Sequence, residues 1–278
     1  MADEALQAVL RRDRLVVSAA LLALTGLSLG YILWLARGMA VPAPATPEMP
    51  GMDMMAAMGQ AMQPAMKVWS AAELLLTFIM WAVMMVGMML PSAAPMILLY
   101  ARVGRMAQSQ NRPFAATGWF AAGYLLAWVL FALLAAAAQA ILTSLALLTP
   151  MMASAGDAMG GIILIVAGLY QWTPWKDRCL VNCRAPLDFI QRHGGFKPHP
   201  RAALALGLRH GLYCVGCCWA LMMLLFVGGI MNIAWIAGLA ILVLLEKLLK
   251  QGRLLARAAG LAAIAAGLLL LLPGTFTI

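Results

Sequence analysis

Seven stretches of this chain run for about the thickness of a lipid bilayer with almost no charged side chain, and that pattern limits what it can fold into. A spanning helix needs roughly 20 mostly apolar residues, because hydrocarbon offers no partner to an open backbone N–H or C=O. The stretches are 15–35, 71–100, 117–144, 159–175, 202–226, 230–245 and 254–272. Only Gly228 and Gly229 separate the fifth from the sixth, which predicts a tight helical hairpin. Charged residues make up 10% of the 278, against about a quarter in soluble domains. So few cannot cover a surface that faces water. The expected fold class is therefore all-α: a polytopic integral membrane helix bundle of about seven transmembrane helices. It is read as one domain over 1–278, with a first span at 14–36, an outer loop at 37–70 and the main bundle at 71–272.

The basic residues orient the bundle. Arg11, Arg12 and Arg14 precede the first span, and Arg102, Arg105 and Arg112 follow the second. Lys176, Arg178, Arg184, Arg192, Lys197 and Arg201 follow the fourth, and Lys247, Lys250, Arg253 and Arg257 follow the sixth. The alternate loops hold little beyond Arg37 and Lys67. Because Lys and Arg stay on the cytoplasmic side, this alternation predicts a cytoplasmic N-terminus and an odd number of spans in a bacterial inner membrane. It also accounts for the net charge of +9 without nucleic acid, for which no basic stretch interleaved with aromatics is present. The first apolar run exceeds the roughly 7–15 residues of a signal-peptide core, so a retained anchor is expected despite Ala43-Pro44-Ala45.

All five cysteines fall in two short clusters. At 3.6 residues per turn, His210, Cys214, Cys217 and Cys218 occupy one helical arc about 100° wide. One imidazole and three thiols thus share a face at the expected mid-depth of the fifth span. Thiolates suit soft ions such as Cu(I), and imidazole joins them in many metal sites. Buried cysteine is also a small hydrophobe that lets helices approach, so packing is the competing account. Arg209, beside this face, calls for a partner in lipid, and Glu246 stands at a suitable depth. Cys179 and Cys183 lie one turn apart just past the fourth span. In a reducing compartment they are read as a metal-passing thiol pair rather than a disulfide, or as incidental surface cysteines.

Methionine, with 22 residues, supplies a second soft ligand type. Met80, Met84, Met85, Met88 and Met89 crowd the second span, ahead of Pro91 and Pro95, which are expected to kink it and free backbone carbonyls. Met84 and Met88 share a face at mid-depth, and a neutral thioether can hold Cu(I) without placing an anion in lipid. Met also fills irregular core gaps. Met49, Met52, Met54, Met55, Met58, Met62 and Met66 stud the outer loop, where Leu, Ile and Phe are missing. In ligand chemistry this loop is similar to the Met-rich segments of copper transporters.

Three segments together resemble a bacterial family of predicted metal-binding integral membrane proteins of unknown function. They are 81–91 (WAVMMVGMMLP) with Pro95, 168–183 from Gly168 to Cys183, and 207–219 (GLRHGLYCVGCCW). The run 228–232 and the pair Glu246-Lys247 match as well. The resemblance covers roughly 81–250 and implies metal handling, leaving the Met-rich loop outside it.

These features lead to a membrane protein that binds a soft metal ion, Cu(I) first and another soft metal second. It would transport or deliver the ion across or within the bilayer and exchange it with a metallochaperone. The expected ligands are His210, Cys214, Cys217, Cys218, Met84, Met88, Cys179 and Cys183. Two other functions stay open. One is an accessory or assembly subunit of a copper or haem membrane enzyme. The other is a membrane thiol-disulfide oxidoreductase using Cys214 and Cys217, although burial would block partner access. Enzymatic activity is the less favoured expectation.

Overall fold

The computed structural model describes residues 69–111, 113–149, 152–154 and 156–272, with isolated helical positions between 19 and 31. Most of the expected first span and all of the methionines from Met49 to Met66 lie outside the described residues. The described chain is helical throughout: α1 (Ala71–Ser109), α2 (Thr117–Ser144), α3 (Asp157–Tyr170), α4 (Pro174–Arg184), α5 (Pro186–Arg192), α6 (Pro200–Met223), α7 (Leu225–Gly228), α8 (Ile233–Leu248) and α9 (Gly252–Leu271). Beyond one isolated bridge between Leu148 and Ser154, the described residues contain no strand.

Among the described residues, four helices are long and apolar enough to cross a membrane: α1, α2, α6 continued by α7, and α9. The other two expected spans are shorter. Helix α3 has 14 residues and α8 has 16, about 21 and 24 Å at 1.5 Å per residue, below a hydrocarbon thickness of roughly 30 Å. The bundle is apolar outside, and its apolar core also encloses polar and charged side chains. Leu75, Leu76, Leu133, Leu134, Ile162, Leu254 and Leu261 are exposed, whereas Gln139, Gln171, Lys176, His210, Glu246 and Lys247 are buried. Water would reward the opposite arrangement, and lipid rewards this one. The chain is a helical membrane protein.

Local signals set the helix ends. Ser70 and Glu73 form a reciprocal capping box at the start of α1. The helix then continues unbroken past Pro91 and Pro95. Helix α3 stops at a tight turn because Thr173 caps α4, accepting from the Lys176 N–H at 3.3 Å, and Pro174 occupies the first helical turn. The helix therefore breaks after Tyr170, where a continuous span to Trp175 was expected, and the chain runs on toward the start of α9, with Gly168 against Gly260 and Asp177 against Arg253. Gly229, at φ +89°, breaks α7 from α8 at the expected hairpin. Asn232 caps α8 by accepting from the Trp235 N–H.

Glycine lets the central pair approach. Helices α2 and α6 pack along most of their length, with Gly207 against the Phe120 backbone and Gly211 against Tyr124. A methyl group at Gly207 would stand 2.0 Å from the Phe120 carbonyl oxygen, so only glycine permits this crossing. This seam carries the cysteine-bearing face of α6 into the middle of the bundle.

One expected contact is replaced. Glu246 pairs with Lys176 at 2.7 Å, and Arg209 is exposed on α6. Arg209 stands on the outward face of α6, turned away from the core that holds Glu246. Lys176 does need one, because the turn before α4 draws it into the core.

Candidate metal centre

Helix α6 buries His210, Cys214, Cys217 and Cys218 on its inward side, as the helical period requires. The thiols of Cys217 and Cys218 donate to the Cys214 carbonyl oxygen at 3.1 and 2.9 Å. Back-bonding of this kind holds both sulfurs close to the helix axis and points them along the same turn.

Helix α4 brings the second cluster to the first. Tyr170, the last residue of α3, donates its hydroxyl to the Gly216 carbonyl oxygen. Its ring meets Trp219 edge-on, with centroids 5.2 Å apart. The break at Thr173-Pro174 then lays α4 along α6. Gly216 leaves the space that Cys179 fills: a methyl group there would be 2.9 Å from the Cys179 sulfur. One turn on, Cys183 Sγ stands 4.0 Å from Cys217 Sγ. The two cysteine clusters, separate in sequence, form one sulfur-lined centre. Cys179 is half-buried at its edge, and burial, reinforced by nearby Cys217, raises its thiol pKa above the ordinary range.

Helices α1 and α2 close the far side. Met84 and Met88 are buried in the core shared with the cysteines. The methionine sulfur that reaches a cysteine is that of Met89, 3.9 Å from Cys218 Sγ. The Met89 carbonyl oxygen collects two side-chain donors, Ser92 at 2.8 Å and Tyr124 at 3.1 Å. The Tyr124 hydroxyl oxygen also lies 3.2 Å from Cys214 Sγ.

His210 sits one turn before Cys214 in an aromatic enclosure. The rings of Phe189, Tyr124 and Phe120 have centroids 5.2, 5.8 and 6.1 Å from its own. Its Nδ1 is buried and has no hydrogen-bond partner among the described residues.

The sequence did not indicate the charged member of the centre. Lys247 Nζ donates to Cys214 Sγ at 2.9 Å and to Ser92 Oγ at 2.9 Å. A lysine at the cytoplasmic end of an apolar run ordinarily snorkels to the interface, and the basic-loop pattern places Lys247 there. Glu246 and Lys247 together, in the last turn of a helix otherwise free of charge, were the available signal. Tyr124, Ser92 and Met89 carried none, since each is an ordinary core residue in its own helix.

This donor set fits a soft ion. With metal–sulfur bonds of roughly 2.3 Å, two sulfurs sharing one ion in a line stand up to about 4.6 Å apart, and the Cys183–Cys217 separation approaches that span. Among the described residues, no group of three or more His, Cys, Asp and Glu side chains is arranged to hold an ion. The sulfur contacts within the described residues are pairwise, Cys183 with Cys217 and Cys218 with Met89.

A family model described as copper chaperone, PpoB2, matches residues 78–270, well over half of the chain. The matched region runs from α1 into α9 and contains every cysteine. No curated protein and no solved structure matches the chain.

Proposed function

The chain belongs to the PpoB2 family of copper chaperones; with its function thus copper-related, we propose that it binds Cu(I) inside the membrane and delivers it by exchange between sulfur ligands. The observation that carries this reading is the convergence of both cysteine clusters on one buried point, with Cys183 and Cys217 sulfurs 4.0 Å apart. Packing alone does not account for it. A core filler does not require five thiols, an ammonium and a thioether gathered around one point.

The ion is cargo, and the residues divide by depth. Cys214, Cys217, Cys218 and Cys183 form the holding site, with His210 as a further donor on the same face of α6. Cys179, half-buried at the edge, is the exchange point for a soluble metallochaperone. Met84 and Met88, buried on α1, are the neutral stations between this centre and the Met-rich loop at 37–70. Thioether ligands suit the outer side, where thiols would oxidise. The topology that serves this route has seven spans, a cytoplasmic N-terminus and a bacterial inner-membrane location, supported by the alternation of basic loops. No nucleotide-binding loop is present in the sequence, so movement follows the gradient or the affinity of the partners.

The second reading is an assembly subunit that donates copper to a membrane enzyme, and the family description as a chaperone favours keeping it. Elemental analysis of detergent-purified, reduced protein tests the common premise. Bound copper is expected in the wild type and lost in Cys214→Ser and Cys217→Ser. A metal-free wild type that forms a Cys214–Cys217 disulfide once the reductant is removed would point to thiol-disulfide exchange instead. Copper flux into proteoliposomes then separates a carrier from a donor subunit.

A further inference from the structure

We propose that Lys247 determines the ionic specificity of the centre: its fixed positive charge is what allows buried sulfurs to hold a monovalent soft cation. The inference rests on the copper reading above and names a residue that acts through the sulfurs rather than as a ligand.

Lys247 is buried, and its ammonium is 2.9 Å from Cys214 Sγ and 2.9 Å from Ser92 Oγ. No carboxylate answers it among the described residues. Glu246, its neighbour in the chain, is engaged by Lys176 at 2.7 Å. Arg209, the cation nearest in sequence to Cys214, and Arg178, beside Cys179, are exposed, and Arg184, beside Cys183, donates to the Leu249 and Lys250 carbonyl oxygens. Sulfur is therefore the group left to balance Lys247, and Cys214 is the sulfur that accepts from it. Cys217 and Cys218, by contrast, donate their S–H to a carbonyl oxygen.

Charge separates the two classes of ion. Two thiolates around a monovalent ion sum to −1, and around a divalent ion to zero. An uncompensated charge is expensive at this depth, so the monovalent complex requires a cation beside it and the divalent one does not. Loading starts from the Cys214 anion paired with Lys247 and one neighbouring thiol. Two sulfur–metal bonds form, the thiol proton leaves to water, and no electron is transferred. The site is neutral before and after, because the −1 of the loaded complex is met by Lys247. Hydrogen bonds from such a group to metal-bound sulfur also tune the centre.

The experiment measures binding of Ag(I), a redox-inert monovalent probe, and of Cd(II), a divalent one, by chelator competition on the reduced full-length protein in detergent. Lys247→Met is expected to lower the Ag(I)-to-Cd(II) affinity ratio about tenfold or more, a difference of at least about 1.4 kcal/mol, mainly through Ag(I). Lys247→Arg, which keeps the charge, is expected to keep the ratio. A parallel loss of both ions would mark a merely structural residue and overturn the proposal, as would an unchanged ratio in Lys247→Met or a collapsed ratio in Lys247→Arg. If Lys247→Met does not yield monodisperse protein, Lys247→Gln carries the same expectation. A wild type that binds no Ag(I) overturns the copper reading itself, whereas bound Ag(I) with an unchanged ratio overturns only the role of Lys247.

Discussion

Two lysines are buried among the described residues, and they are neutralised differently. Lys176 meets the Glu246 carboxylate at 2.7 Å and the Gln171 side-chain oxygen. Lys247, one residue beyond Glu246, meets a thiol and a hydroxyl. The first arrangement matches a cation with a carboxylate and joins α4 to α8. The second is matched only when sulfur is the anion, which is the difference between a structural ion pair and the centre proposed above. Two adjacent residues of α8 thus serve two purposes: Glu246 holds in place the helix that carries Cys179 and Cys183, and Lys247 faces the sulfurs themselves.

That contrast can be broken at either lysine. The largest effect is expected for Lys176→Met or Glu246→Gln alone. Removing one partner of a buried ion pair costs about 3–5 kcal/mol, to be read as a fall in thermal stability in detergent. The double variant Lys176→Met/Glu246→Leu is expected to recover most of that loss and to keep its copper, because an apolar pair of similar volume replaces the ions. A double variant that stays unstable, or loses copper while folded, would show that the pair belongs to the centre.

Smaller effects are expected at the sulfur end. Cys214→Ser removes the group that answers Lys247, and a destabilisation of about 1–3 kcal/mol is expected, with loss of bound copper per folded chain. Gly207→Ala tests the seam that seats the cysteine face. Its clash with the Phe120 backbone is expected to cost about 1–3 kcal/mol and, by parting α6 from α2, to lower copper per folded chain.

The smallest effect falls on Cys179. Burial raises its thiol above the ordinary range, so its reactive thiolate is scarce at neutral pH. Alkylation followed by mass spectrometry is expected to show Cys179 labelling that climbs only at pH values above those at which an unfolded thiol reacts. Labelling that already plateaus at neutral pH would contradict the burial. Cys179→Ser is expected to leave stability and bound copper unchanged and to slow transfer to a soluble acceptor.

Much of the fold was legible in the sequence for a simple reason: hydrophobic runs and helical period are local properties. The run at 117–144 is α2 to the residue, and the period alone placed Cys214, Cys217 and Cys218 on the buried side of α6. What was not legible depended on a helix break and the tertiary packing that follows it. The meeting of Cys183 with Cys217 depends on the turn at Thr173-Pro174, which reads equally well as the frayed end of a longer span. The same break buries Lys176 and gives it Glu246, a partner that depth alone had assigned to Arg209. Lys247 was hidden because a lysine closing an apolar helix has an ordinary explanation at the interface. The first span and the outer methionines lie outside the described residues, so the outer end of the route rests on ligand chemistry.

The central claim is that this buried centre holds one monovalent copper ion between two sulfurs. X-ray absorption at the copper edge of the loaded, reduced protein tests it most directly. The account predicts a Cu(I) edge with two sulfur neighbours at about 2.3 Å, weakened or lost in Cys217→Ser. A shell of nitrogen and oxygen, or three to four sulfurs that survive that substitution, would contradict it.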